Sequence, residues 1–158
     1  MNDIINIEKL LTSLNSLKDS SKAHWGVMSS SQMLKHCNRH AKLFCNEYNS
    51  NFYHKIAAMI YGKYHLLNIK YILKFDIKKF RGNSKTPDFL ITSSLKDIDF
   101  ENEKNLLIER LKYLSNIKNG FIFNPAYGFV KWSTNKKVIF SHVYYHLKPF
   151  ISFIETVE

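Results

Sequence analysis

Trp25-Gly26-Val27-Met28-Ser29-Ser30-Ser31-Gln32-Met33-Leu34-Lys35-His36-Cys37, with His40 just beyond it, is the stretch that decides how this chain is read. Ser29 followed three residues later by Gln32 is a capping-box pattern. In it, each side chain satisfies a backbone donor that the first helical turn leaves free, and Met28 is placed to act as an apolar staple. A helix therefore starts near Ser29 or Ser30 and is expected to run to about Glu47. His36 falls on its apolar face with Met33, Leu34 and Cys37, so the same stretch that starts a helix points an imidazole inward.

Working outward, Ile4 to Leu17 repeats apolar residues at the helical period. From Phe52 to about Phe80 the chain reads helical again, with a break expected near Gly62 or Asn68. Arg81 to Asp97 carries several turn signals and reads as a long loop. Asp99 to Ile117 is a helix whose acids Asp99, Glu101 and Glu103 sit in the first turn, where the helix dipole favours them. A second loop, Asn124-Pro125-Ala126-Tyr127-Gly128, precedes a last helix from Ser133 or Thr134 towards Lys148, which Pro149 must end or kink. The expected fold class is all-α: a four-helix bundle with an extra helical segment and two long loops, residues 1–158 forming a single domain.

Composition agrees with this. The chain is 45% hydrophobic and 15% aromatic, which excludes a disordered polymer, and its 5 Gly and 3 Pro are too few for a sandwich of many short strands. Twenty-three Lys and Arg against 13 Asp and Glu give a net charge of +10. The basic stretch Lys63, Lys70, Lys74, Lys78, Lys79, Arg81 and Lys85 holds one acid, Asp76, and is interleaved with Tyr64, Tyr71, Phe75 and Phe80. Such a 63–85 segment suits an anionic membrane, nucleic acid or an acidic partner, as a non-catalytic binding bundle would use it. The simpler reading, a solvated face with snorkelling lysines, is preferred because no nucleic-acid motif accompanies it. Asp3 stands where a secretory signal needs cations, and no run of 18 apolar residues exists, so a cytoplasmic chain without a transmembrane segment is expected. Cys37 and Cys45 lie about 12 Å apart along one helix, too far for a disulfide.

Seven histidines include two pairs at i, i+4 spacing, His36/His40 and His142/His146. Chance supplies roughly 0.3 such pairs in a chain of this length, and the spacing puts both rings of a pair on one helix face, where both can reach one metal ion. His142 and His146 make two ligands, and an open site typically wants a third from another helix. His36 is the best candidate. His40 is a fourth ligand, an outer donor or, preferably, pocket wall or surface. Trp25, Tyr127, Phe129 and Trp132 flank the histidine helices as pocket wall or as ordinary core. With Gln32 and Tyr145, the residues His40, Trp25, Tyr127 and Trp132 are the candidates for lining the site or orienting its ligands.

The Trp25–Cys37 stretch resembles the Trp-Gly-x-Met-x-x-x-Gln-Met-Leu-x-His-Cys signature of a branch of the DinB-like superfamily. The similarity continues through Thr86-Pro87-Asp88-Phe89, Asp99-Phe100-Glu101 with Glu103, Asn124 to Gly128, and His142 to Phe150. Where relatives often have His-Pro-x-Phe-Gly this chain has Asn124-Pro125-Ala126-Tyr127-Gly128, and Tyr144, Tyr145 and Pro149 replace an Asp, a His and a Gln. The resemblance implies an up-down-down-up path and a metal triad of His36, His142 and His146. It also implies thiol S-transferase chemistry, in which a low-molecular-weight thiol is made a thiolate by coordination and attacks a small electrophile. Zinc is the commonest match for three imidazoles, with nickel, manganese or iron compatible. The alternative is a metal-dependent hydrolase, which wants a nearby general base that the sequence does not supply. A small-molecule substrate is the partner expected, nucleic acid is disfavoured, and association as a homodimer is left open.

Overall fold

The computed structural model describes residues 6–76, 79 and 88–151. Helix α1 (Ile7–Ser16) is capped by Asn6, whose side chain accepts from the Glu8 amide. Its expected start at Ile4 lies outside the described residues, as do Lys78, Arg81 and Lys85 of the basic stretch and Thr86-Pro87 of the family-like pattern. Helix α2 (Ser30–Phe44) opens with both halves of the capping box in place, Ser29 Oγ accepting from the Gln32 amide and Gln32 Oε1 from the Ser29 amide. It ends three residues before the expected Glu47 because Asn46 takes a left-handed backbone (φ 60°), a common stop for a helix.

The segment from Phe52 is capped by Asn51 and runs through α3 (Phe52–Ala57), a π turn (Ala58–Gly62), α4 (Lys63–Leu67) and a second π turn (Asn68–Ile72). The expected breaks at Gly62 and Asn68 are instead widened helical turns. The rod stops near Leu73, short of Phe80, where Lys74 and Phe75 both adopt positive φ. A short 3-10 turn (Asp88–Leu90) lies in the long loop, and α5 (Phe100–Asn116) follows with Asp99 as its cap.

The all-α expectation needs one correction. Phe121–Asn124 (β1) and Gly128–Lys131 (β2) form an antiparallel hairpin, with Phe121 opposite Lys131 and Asn124 opposite Gly128. The expected loop is the tip of this hairpin, and Phe121-Ile122-Phe123 is a β-favouring run that a three-residue turn folds back on itself. Helix α6 (Trp132–Leu147) leaves β2 directly and passes into a 3-10 turn at Lys148–Phe150.

The described molecule is mostly helical, with α1, α2, α5 and α6 packed on one another around Leu10, Leu14, Met33, Leu34, Leu107, Leu111, Ile139 and Val143. Cys37 and Cys45 are free, buried thiols, and burial pushes both pKa values up, that of Cys45 to about 12, so neither is a ready nucleophile. The hairpin is locked to the helices by two fully buried amides. Asn124 Nδ2 donates to Asn135 Oδ1 (2.9 Å), and Asn135 Nδ2 donates to the Phe44 carbonyl at the end of α2 (3.0 Å). The extra helical rod seats on the hairpin tip through Gly62, where a β-carbon would stand 2.0 Å from the Ala126 carbonyl oxygen. Among the described residues no helix is long and apolar enough to cross a membrane.

Candidate metal centre

Helices α2 and α6 lie side by side, and each contributes two imidazoles one turn apart to the space between them. The ring of His36 is 4.5 Å from that of His146 and 5.2 Å from that of His142, and His142 and His146 are 4.5 Å apart, centroid to centroid. One nitrogen from each of His36, His142 and His146 lies within 4.8 Å of the others. Ligands bound at ordinary zinc–nitrogen lengths of about 2.1 Å in a tetrahedral arrangement stand roughly 3.4 Å apart, so small ring movements bring three donors onto one ion. Among the described residues, no other group of three His, Cys, Asp or Glu side chains has this spacing.

The orientation of His36 is set from outside. Its Nδ1–H donates to the Leu90 carbonyl (2.8 Å), which leaves Nε2 as the free lone pair, as an outer partner does for a metal-ligating histidine. Leu90 belongs to a loop that runs along one face of α2 and is stitched to it at successive turns. Gln32 Nε2 donates to the Ser93 and Leu95 carbonyls, Thr92 Oγ1 donates to the Gln32 carbonyl, and Arg39 donates to the Ile91 carbonyl. Gln32 is therefore a cap and a loop clamp rather than pocket wall.

Three nitrogens in this cluster are buried without a partner: His36 Nε2, His142 Nε2 and His40 Nδ1. Leaving such a group unsatisfied costs about 1–3 kcal/mol, so three in one cluster of rings call for partners. Burial holds all four rings neutral, driving His40 and His146 down to about 3, His142 well below 6.5, and His36 down despite its bond to Leu90. The titratable groups that bear on these rings are Arg39 and the neighbouring imidazoles, with no carboxylate among the described residues doing so. Neutral, inward-pointing, unsatisfied nitrogen donors are the set a divalent transition-metal ion takes.

No protein-family model, curated protein or solved structure matches the chain.

The remaining candidates separate cleanly. His40 is no surface residue: its ring stacks on His142 at 3.8 Å and walls the cluster. Tyr145 meets His146 edge-on at 5.1 Å, and the half-exposed Trp25 meets Tyr145 at 5.5 Å, so a row of rings leads from solvent to the histidines. Tyr127 is core, between Phe44 and His65, and burial pushes its hydroxyl up to about 12. Trp132 packs over Gly120, and Phe129 is exposed on the hairpin. Sequence reasoning missed Leu90, since a backbone carbonyl leaves no trace in side-chain patterns. It also missed that Glu103 is buried in a polar network with Lys35, Asn38 and Arg110, having read it as a first-turn acid.

Proposed function

We propose that the chain is a divalent-metal protein of the DinB-like kind, an up-down-down-up four-helix bundle that joins a low-molecular-weight thiol to a small electrophile. One observation carries this reading: His36 and His142, each with a buried Nε2 that lacks a partner, bring ring nitrogens together with His146, and no carboxylate among the described residues bears on them. Three neutral ligands leave a bound ion its full double charge, and that charge, on zinc first or on nickel, manganese or iron, favours the deprotonated form of a thiol. The protein's own part is positioning. Leu90 holds the His36 ring, His40 packs against His142 and covers it, and the Trp25–Tyr145 row offers an aromatic approach suited to an apolar electrophile. Hydrolysis fits less well, because it wants a basic carboxylate or a free imidazole beside the ion, and among the described residues the histidines in reach are the ligands and their stacked neighbour.

The test is turnover. Metal-loaded protein is mixed with a panel of small thiols and of alkyl halides and epoxides, and loss of free thiol is followed. Saturable turnover that disappears on chelation and in His146→Ala is expected. One ion bound per chain with no turnover across the panel overturns the transferase reading and leaves a metal held for stability.

A further inference from the structure

The rod from Phe52 to Ile72 buries a narrow face. Ala58, Leu66 and Ile69 point inward with Gly62 between them, the small residues allowing close contact with the hairpin. The opposite side carries Tyr53, Ile56, Ile60, Tyr64, Leu67 and Tyr71, at steps of three and four residues, and all six face solvent. Tyr53 is 80% exposed, Tyr64 75% and Ile60 60%. The rod holds out more than the solvated basic face expected from sequence, because its apolar and aromatic side chains stand in water beside the exposed Lys55 and Lys70. A contiguous apolar stripe of this length on an outer face marks an interaction site.

We infer that this face docks on an anionic membrane surface, the rod lying in the plane of the headgroups. Charge argues for that occupant. Between Tyr48 and Phe75 the chain has four lysines, Lys55, Lys63, Lys70 and Lys74, and no Asp or Glu. Lys63, whose Nζ also donates to the Phe129 carbonyl, and Lys70 stand seven residues apart along one flank of the stripe, and Lys74 follows just past the end of the rod. A second copy docked here would set lysines against lysines with no acid to offset them. A nucleic acid would pair with the lysines and leave Ile56, Ile60 and Leu67 without a role, since phosphate contacts dominate such binding. An interfacial helix uses both sets: tyrosines settle at the headgroup level, aliphatic side chains enter the acyl boundary, and each lysine near an anionic surface adds about 1 kcal/mol. At 1.5 Å per residue the rod offers about 30 Å of contact. This inference is independent of the metal centre, which lies between α2 and α6.

The full chain is sedimented with vesicles of phosphatidylcholine alone and of phosphatidylcholine with phosphatidylserine, at low and raised salt. Co-sedimentation with the anionic vesicles alone, weakened by salt, is expected. The pair Lys70→Gln and Lys74→Gln should lower affinity roughly thirtyfold. Ile60→Asp should abolish binding while its thermal melt stays near wild type, since residue 60 faces water. An Ile60→Trp probe should shift to the blue on adding anionic vesicles and stay unchanged with neutral ones. Failure to sediment with anionic vesicles at low salt, or binding that survives Ile60→Asp, overturns the proposal. So does a concentration-dependent dimer that Ile60→Asp dissolves, without vesicle binding, or retention on single-stranded RNA that needs the lysines but not Ile60.

Discussion

Helix α2 presents two polar groups on opposite sides, and they are built on opposite terms. On the α5 side, Asn38 donates to Glu103 Oε2 (2.8 Å) and to the Glu103 carbonyl (2.6 Å). Lys35 closes on Glu103 Oε1 at 2.6 Å, and Arg110 donates to Asn38 Oδ1 and grips Glu47 with two nitrogens. On the α6 side, His36 and His40 meet His142 and His146 and leave three buried nitrogens with nothing to bond. A closed polar network accounts for itself by holding two helices in register. An open one stabilises nothing as it stands, and its geometry makes sense when a further group completes it.

Three perturbations break or sharpen that contrast. The largest effect is expected on the closed side. Glu103→Ala strands a buried amide and a half-buried ammonium, and should cost about 3–5 kcal/mol, a fall in Tm of roughly 10 °C or more by calorimetry. Metal content of the folded protein should not change. Next comes pH on metal-free protein. Each depressed ring binds protons more weakly folded than unfolded, so the unfolded chain takes up more protons below 6.5. Stability from these groups is thus complete above 6.5 and is lost as pH falls from there towards 3, where His40 and His146 titrate. Melts from about pH 7 to about pH 5 should show Tm dropping by several degrees, and dropping less in His142→Leu, which has one such ring fewer. The smallest effect is that of His142→Leu itself on metal-free stability at neutral pH. Removing a ring whose Nε2 is buried without a partner should change unfolding free energy by no more than about 1 kcal/mol, and in the favourable direction if Leu packs. A loss as large as that for Glu103→Ala would show that His142 is structurally satisfied and that the two sides of α2 are alike.

The parts of this molecule that follow from local chemistry were legible in the sequence. Ser29 and Gln32 form the capping box where their spacing puts it, Asp99 caps α5, and the i, i+4 pairs share a face because helix geometry leaves them no choice. The convergence of His36 with His142 and His146 was legible too, as the outcome expected if α2 packs on α6. What escaped depends on tertiary surroundings. Phe121-Ile122-Phe123 is too short a run to separate strand from buried loop until Asn124 and Asn135 lock it. Gly62 reads as a breaker in isolation, whereas against Ala126 it is the residue that lets the rod come close. For His40 the sequence leaves pocket wall and surface undivided, because one helix wheel cannot tell which neighbour covers its flank, and here it is His142.

Elemental analysis of untagged protein, wild type beside His146→Ala, bears on the open side of α2 most directly. After exposure to zinc, nickel, manganese and iron and removal of the excess, wild type should retain about one ion per chain. The variant should retain almost none while melting as cooperatively as its parent. Equal, near-zero content in both proteins would contradict the reading of His36, His142 and His146 as a metal centre.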